Sequence, residues 1–275
     1  MSTHGRSGGR SVSVLDLLEM KARGEKIAAL TAYDYLFARI VDQGGADVVL
    51  VGDSLAQVVL GLDSTLPVTL DDMIHHAAAV RRGVERALVV VDLPFLTYQV
   101  SREDALRNAG RALQKTGASA VKLEGGSPDI ADTVAALVSA GIPVMGHVGL
   151  TPQSVHALGG FRVQGRDDAG RDRLIAEAKR LEEAGAFSVV LELVPGSLAK
   201  EVTAELRIPT IGIGAGAGCD GQVLVLPDML GINRGFQPRF LRRFAELGDQ
   251  AEAGVREFVR TVKSGDYPAD EHTFS

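Results

Sequence analysis

The chain has 275 residues, 45% of them apolar and 23% charged, which is the usage of an ordinary globular protein. Its formal charge of −6 is accompanied by no basic block, which argues against a nucleic-acid partner; the single cysteine, Cys219, excludes an intrachain disulfide and a cysteine-held zinc. No apolar run has the length of a membrane span, and residues 1–12 are small, polar and basic, without the apolar stretch of a signal peptide. A cytoplasmic protein with a disordered tail over residues 1–12 is expected.

Residues 14–23 place Val14, Leu15, Leu17, Leu18 and Ala22 at helical spacing and stop at Gly24, predicting a short amphipathic helix that could plug a barrel floor. A first strand over 27–32 leads into a helix that ends at Gly44-Gly45. Four consecutive branched residues, Val48-Val-Leu-Val51, cannot alternate between core and solvent, so they predict a strand covered on both faces, as in parallel sheets. A long Gly-, Ser- and Asp-rich loop over 53–67 follows, and Thr69 with Asp72 caps the next helix. That helix carries His75 and His76, which as neighbours point about 100° apart and so cannot share a metal.

A third strand ends at Asp92, and Ser101 with Asp104 opens a helix closed by Gly117. Strands over 119–124 and 142–147 follow, separated by a helix that starts near Pro128. Residues 154–171 show little pattern and carry glycines at 159, 160, 165 and 170; they are expected to cover the top face as a lid. A helix over 172–184, strands over 187–193, 209–213 and 222–226, and a last amphipathic helix over 238–263 complete the chain. Eight strand-like runs alternating with helical patterns predict a (β/α)8 TIM barrel in a single domain over residues 13–265. An extra N-terminal helix precedes it, the long C-terminal helix ends it, and a tail follows over 266–275.

Several strands end on groups able to ionise: Asp53, Asp92, Lys122, Glu124, His147 and Glu192. In a barrel these ends converge on one rim, so residues distant in sequence would form one constellation. Asp53, Asp92 and Glu124 offer hard oxygens that suit Mg²⁺, and without a cation their mutual repulsion would raise the pKa of each. Lys122 could form a Schiff base or act as a fixed charge, and nearby acids favour the second by keeping it protonated. The run Gly212-Ile-Gly-Ala-Gly-Ala-Gly218 has Ala217 where a dinucleotide fingerprint has its third glycine, and no Gly-Lys-Ser/Thr follows. It reads as a close backbone approach, and Cys219 beside it as an incidental buried thiol.

Eight stretches together resemble the ketopantoate hydroxymethyltransferase family: Thr31-Ala-Tyr-Asp34, Val51-Gly-Asp-Ser-Leu55, Asp92-Leu-Pro-Phe95, Val121-Lys-Leu-Glu-Gly-Gly126, Gly146-His-Val-Gly-Leu-Thr-Pro-Gln153, Leu191-Glu-Leu-Val-Pro195, Ile211-Gly-Ile-Gly-Ala-Gly216 and Asp220-Gly-Gln-Val-Leu-Val225. The resemblance implies an Mg²⁺-dependent transfer of a hydroxymethyl group from 5,10-methylenetetrahydrofolate to 3-methyl-2-oxobutanoate, on the route to pantothenate and coenzyme A. It implies Asp53, Asp92 and Glu124 as the metal site, the last directly or through water, and Glu192 as the catalytic proton acceptor. Ser54, Lys122 and His147, with the two aspartates, would be substrate-binding, and a homodecamer is expected. Three rivals stand beside it: an Mg²⁺-dependent barrel of the phosphoenolpyruvate mutase and isocitrate lyase kind, a Schiff-base aldolase built on Lys122, and a silent barrel using its C-terminal helix as a partner surface. The first of these generally needs a reactive lid cysteine, and Cys219 stands in the wrong context for one.

Overall fold

The structure, a computed structural model, describes residues 10–274. The chain opens with α1 (Val14–Arg23), β1 (Ile27–Thr31), α2 (Tyr35–Gln43), β2 (Val48–Val51), the short α3 (Leu55–Val58), α4 (Leu70–Gly83) and β3 (Leu88–Asp92). It continues with α5 (Arg102–Thr116), β4 (Ala120–Lys122), α6 (Pro128–Ser139), β5 (Val144–Gly149), α7 (Asp168–Glu183), β6 (Ser188–Glu192), α8 (Gly196–Glu205), β7 (Thr210–Ile213) and β8 (Gly221–Leu224). The eight strands pair in parallel in chain order, and β8 closes on β1. This is the expected (β/α)8 barrel.

Helix ends follow the local chemistry. Ser13 with Asp16, and Thr69 with Asp72, form reciprocal capping boxes on α1 and α4. Asp34 caps α2 through the Phe37 N–H at 2.9 Å. Gly24 ends α1 at φ 70°, a left-handed conformation that a side chain resists.

Strand alternation separates two cores. Val121, Val144, Val148, Val189 and Leu191 face outward and pack on Ala105, Ala109, Leu137 and Leu181 of the surrounding helices. Leu88, Val90, Ala120, Met145, Val190 and Ile211 belong to the inner core, which Leu17 of α1 joins from below, fully buried. α1 is thus the floor plug its pattern predicts. Because side chains alternate with period two, the residues two positions beyond Val90, Ala120, Met145 and Val190 share that inner face one layer up: Asp92, Lys122, His147 and Glu192.

Of the expected N-terminal tail, residues 1–9 lie outside the described residues. Val12 donates its N–H to the Arg86 carbonyl at 2.7 Å and packs on the inner core. The loop over 53–67 contains α3, and α7 begins at Asp168 inside the stretch expected to be patternless, because Asp167 caps the Gly170 N–H at 2.7 Å. No helix among the described residues is long and apolar enough to cross a membrane.

The chain divides into two compact units, the barrel through Val225 and a C-terminal unit from Leu226. The second holds α9 (Leu226–Met229) and α10 (Leu247–Ser264). The long helix therefore starts at Leu247, not 238. The N–H groups of Phe244 and Leu247 bond to the carbonyls of Met229 and Leu230, at 2.8 and 2.9 Å, in place of partners four residues back. Val255, Phe258 and Val262 of α10 remain exposed.

Candidate active site

β2 ends at Val51, and past Gly52 the chain turns so that the Asp53 N–H donates to Asp92 Oδ2 at 3.0 Å. Asp92 is the last residue of β3 and lies in register with Lys122 of β4, whose Nζ donates to Asp92 Oδ1 at 2.7 Å. Glu124 follows two residues later. β5 carries His147, which lies between two carboxylates: Nδ1 is 3.5 Å from Glu124 Oε1, and Nε2 is 3.3 Å from Glu192 Oε2. Neither contact is a well-aligned hydrogen bond, so the ring is held by charge more than by direction. All six residues singled out from the strand ends meet at the C-terminal mouth. Ser54 borders them, its hydroxyl 2.8 Å from the Tyr33 hydroxyl.

Gln153, absent from the residues expected at the strand ends, joins the cluster. Its Nε2 donates to Asp53 Oδ2 at 3.0 Å and to the Leu93 carbonyl at 3.0 Å, while its backbone N–H donates to Glu124 Oε2 at 2.9 Å. Its Oε1 accepts from the Tyr98 hydroxyl at 2.8 Å and from Gln99 Nε2 at 3.1 Å, which fixes the amide's orientation. The signal was present, since Gln153 ends the Gly146 to Gln153 motif. An uncharged amide had no reason to be counted among ligands or bases.

Burial and charge decide how these groups ionise. Asp53 is pushed up to about 8, first by burial and then by Asp92 and Glu124, against the opposing pull of Lys122 and Gln153. Glu124 behaves otherwise. Burial raises it, but the contact with His147, with Lys122 and the Gln153 N–H, outweighs that and holds it below the usual carboxylate value. The expectation that all three acids are raised thus fails at Glu124, because a cation-forming ring lies against it. Burial and Lys122 push His147 down, yet Glu124 and Glu192 overcome both and lift it to about 9. Burial likewise opposes charge on Lys122, and Asp92, Glu124 and Asp53 prevail, holding it above the ordinary lysine value. A lysine held protonated in this way is a fixed cation and a poor nucleophile.

The cluster sets four carboxyl groups against one ammonium and one imidazole, so acids outnumber cations in it. That excess fits a divalent cation. Among the described residues no three His, Cys, Asp or Glu side chains are arranged to hold a metal by themselves. Two carboxylates, Asp53 and Asp92, with water and substrate oxygens completing the shell, is the way Mg²⁺ is commonly held. Glu124 has Oε2 bonded to the Gln153 N–H and Oε1 against His147, as Asp92 has its two oxygens on the Asp53 N–H and Lys122.

The remaining candidates stand elsewhere. His76 Nδ1 is 2.7 Å from the Tyr33 carbonyl, and the His75 ring meets His76 edge-on, so neither joins the mouth cluster. Cys219 is buried, and burial pushes its thiol up, away from the reactive thiolate form. At Gly212 a Cβ would come within 2.9 Å of Cys219 Sγ, the close approach read from the glycine run.

A parallel barrel whose C-terminal mouth gathers acids, a lysine and a histidine in one buried cluster belongs to the enzyme barrels, which keep their chemistry at that end. Residues 11–270 match the ketopantoate hydroxymethyltransferase family model, and the chain belongs to that family. The 3-methyl-2-oxobutanoate hydroxymethyltransferase of Syntrophus aciditrophicus is 56% identical over 274 residues, 100% of each chain. That of Syntrophomonas wolfei is 54% identical over 264 residues, 96% of this chain and 95% of the relative. Among solved structures, a phosphonopyruvate hydrolase complex with oxalate and Mg²⁺ superposes with a TM-score of 0.63 at 13% identity, covering 95% of this chain and 91% of the other. A 2,3-dimethylmalate lyase of the PEP mutase/isocitrate lyase superfamily gives 0.58 at 17% identity, with coverage of 95% and 91%. At such identities these two likenesses speak of the barrel fold alone.

Proposed function

We propose that this chain transfers a hydroxymethyl group from 5,10-methylenetetrahydrofolate to C3 of 3-methyl-2-oxobutanoate, giving 2-dehydropantoate and tetrahydrofolate for pantothenate and coenzyme A biosynthesis. One observation carries the assignment of roles: Glu192 is the open member of the cluster, its side chain 20% exposed while that of its neighbour His147 is 2% exposed. A base that must meet substrate needs such access, and the ring behind it lies within 3.3 Å of its carboxylate.

Glu192 takes the proton from C3, and the pair left behind forms the enolate double bond. Lys122, held against Asp92, balances the substrate's anionic charge, and Ser54 orients the oxo acid. Asp53 and Asp92 would hold Mg²⁺, with Glu124 reaching it through water, and the ion when bound supplies positive charge where the ketone oxygen becomes negative. C3 then bonds to the methylene carbon of the donor. The methylene's two carbon–nitrogen bonds to the folate break, one as C3 attacks and the other as water supplies the hydroxyl; one freed nitrogen takes the proton that Glu192 holds and the other the proton that water gives up. His147 stays charged between Glu124 and Glu192 and stabilises the ionised base.

Deuterium exchange at C3 of 3-methyl-2-oxobutanoate tests this reading. Exchange with Mg²⁺ and no folate, followed by 2-dehydropantoate once the folate is added, is the expected result; absence of both rejects it. The family resemblance also supports a cytoplasmic homodecamer, and the exposed Val255, Phe258 and Val262 on α10 offer an apolar face for a second copy. Light scattering that finds a monomer at micromolar concentration would reject the assembly.

A further inference from the structure

Two adjoining hollows lie beside the acid cluster and take no part in the steps above. The first, about 310 Å³, is lined by Asp63, Thr65, Pro152, His156 and Phe161 among others. It borders the site directly, because Pro152 precedes Gln153 and Asp63 and Thr65 belong to the loop that Asp53 begins. The second, about 790 Å³, is lined by Phe161, Arg162, Gln164, Arg166, Gly170 and Arg173 among others. Phe161 lines both, so the two meet at its side chain and are taken together as a groove. The Gln164 N–H donates to the Leu193 carbonyl at 2.9 Å, which ties the second hollow to the residue following Glu192.

The two halves differ in chemistry. In the first, the exposed Asp63 carboxylate accepts no hydrogen bond from any described residue, and the buried Thr65 hydroxyl has no partner. An unpaired buried hydroxyl costs free energy unless something in the hollow pairs with it. Beside these polar groups lie the flat ring of Phe161, 61% exposed, and His156. The second hollow carries Arg162 and Arg166, which make no ion pair with any described residue, and Arg173, whose Glu177 contact is long at 3.8 Å. Asp167, the acid among its lining residues, uses Oδ1 to cap the Gly170 N–H. The first turn of α7, through Ala169 and Gly170, adds the positive end of a sixteen-residue helix.

We infer that this groove seats the folate donor, with its pteridine in the hollow of Asp63, Thr65 and Phe161 and its glutamate tail along Arg162, Arg166 and Arg173. This rests on the proposed function. A pteridine is a flat ring whose amino group and adjacent ring N–H form a donor pair that a carboxylate accepts side by side. An aromatic face stacks on such a ring. Each glutamate of the tail adds a carboxylate, the charge that exposed, unpaired guanidinium groups attract. The placement brings the methylene between pteridine and tail to the shared wall at Phe161, beside the mouth.

Calorimetry on the full chain with tetrahydrofolate mono- and pentaglutamate tests it. The pentaglutamate should bind about tenfold tighter, the gain of a few exposed ion pairs. Arg162→Ala/Arg166→Ala should bring that ratio close to one, and Arg162→Lys/Arg166→Lys should keep most of it. Asp63→Asn should weaken both forms alike, by about tenfold or more. A double alanine variant with the wild-type ratio, or an Asp63→Asn variant with unchanged affinity, overturns the inference. Wild-type protein that exchanges the C3 proton but shows no tail preference overturns the arginine half alone. Wild-type protein that binds neither folate and exchanges nothing overturns the proposed function, and the groove's role with it.

Discussion

Gln153 follows Asp53 by 100 positions, yet its side-chain amide donates to the Asp53 carboxylate at 3.0 Å. Its backbone N–H holds Glu124 at the same time. One neutral residue thus positions two acids of the cluster, and its own amide is locked by Tyr98 and Gln99. Gln153→Leu leaves Asp53 without this donor and raises its pKa further. The expected outcome is Mg²⁺ affinity lower by about 10- to 100-fold, the range for groups that orient metal ligands. Calorimetric titration with Mg²⁺ reads this directly, and an unaltered binding constant would dismiss the positioning role.

Asp53 is near 8 in the folded chain against 3.8 as a free group, and His147 is near 9 against 6.5. Both bind protons more tightly when folded, so both make stability fall as pH rises. The His147 contribution is complete below pH 6.5 and is lost through about 9; that of Asp53 declines from about 4 through 8. Glu124, held low, acts in the opposite sense, and only in acid below its ordinary 4.5. Thermal melts in chelator from pH 6.5 to 9 should therefore show a falling midpoint, and Asp53→Asn should fall less steeply over the lower part of that range. Mg²⁺ must displace the Asp53 proton, so its affinity should climb about tenfold per pH unit below about 8 and level off above it. A pH-independent affinity would contradict Asp53 as a ligand.

Glu192→Gln keeps the shape of the base and removes its proton affinity. Turnover should drop by about two to four decades while the oxo acid still binds. Near-normal C3 exchange in this variant would exclude Glu192 as the proton acceptor.

Gly149 lies in register with Glu192 and has φ +95°; a Cβ there would fall 2.3 Å from the Glu192 carbonyl oxygen and 2.8 Å from Val194 Cγ1. Gly149→Ala should shift the end of β6 and lower turnover by about tenfold or more, with Mg²⁺ affinity nearly preserved because Asp53 follows β2 and Asp92 ends β3. Equal losses in both measurements would point to general disruption.

Leu17 is fully buried in the inner core from outside the strand system. Leu17→Ala should destabilise the protein by about 2–5 kcal/mol in urea unfolding, the range for emptying a packed leucine site. A loss below about 1 kcal/mol would mean that α1 is not a structural floor.

The strands were legible because each is an apolar run with an abrupt end. β2 matches its expected bounds, and the others differ by no more than two residues at either end. The start of α10 was not legible, since Leu241, Phe244 and Leu247 keep helical spacing while the Phe244 and Leu247 N–H groups are bonded to another segment. α3 lay hidden in a loop whose composition suggested none.

At the site, residue order is enough to say which charged groups stand at the strand ends, because an ionisable residue closing an apolar run is conspicuous and the barrel topology assigns all such ends to one rim. Which group touches which is set by the fold. That Glu124 is held low while Asp53 is pushed up follows from His147 lying against one acid while burial and two neighbouring carboxylates act on the other. Gln153, Tyr98 and Tyr33 entered the same way, because an uncharged donor has no meaning in a sequence until its acceptor is known. Spacing along the chain fixes the face a side chain takes; the electrostatics of a buried cluster depends on distances of a few ångströms between strands, and folding alone sets those.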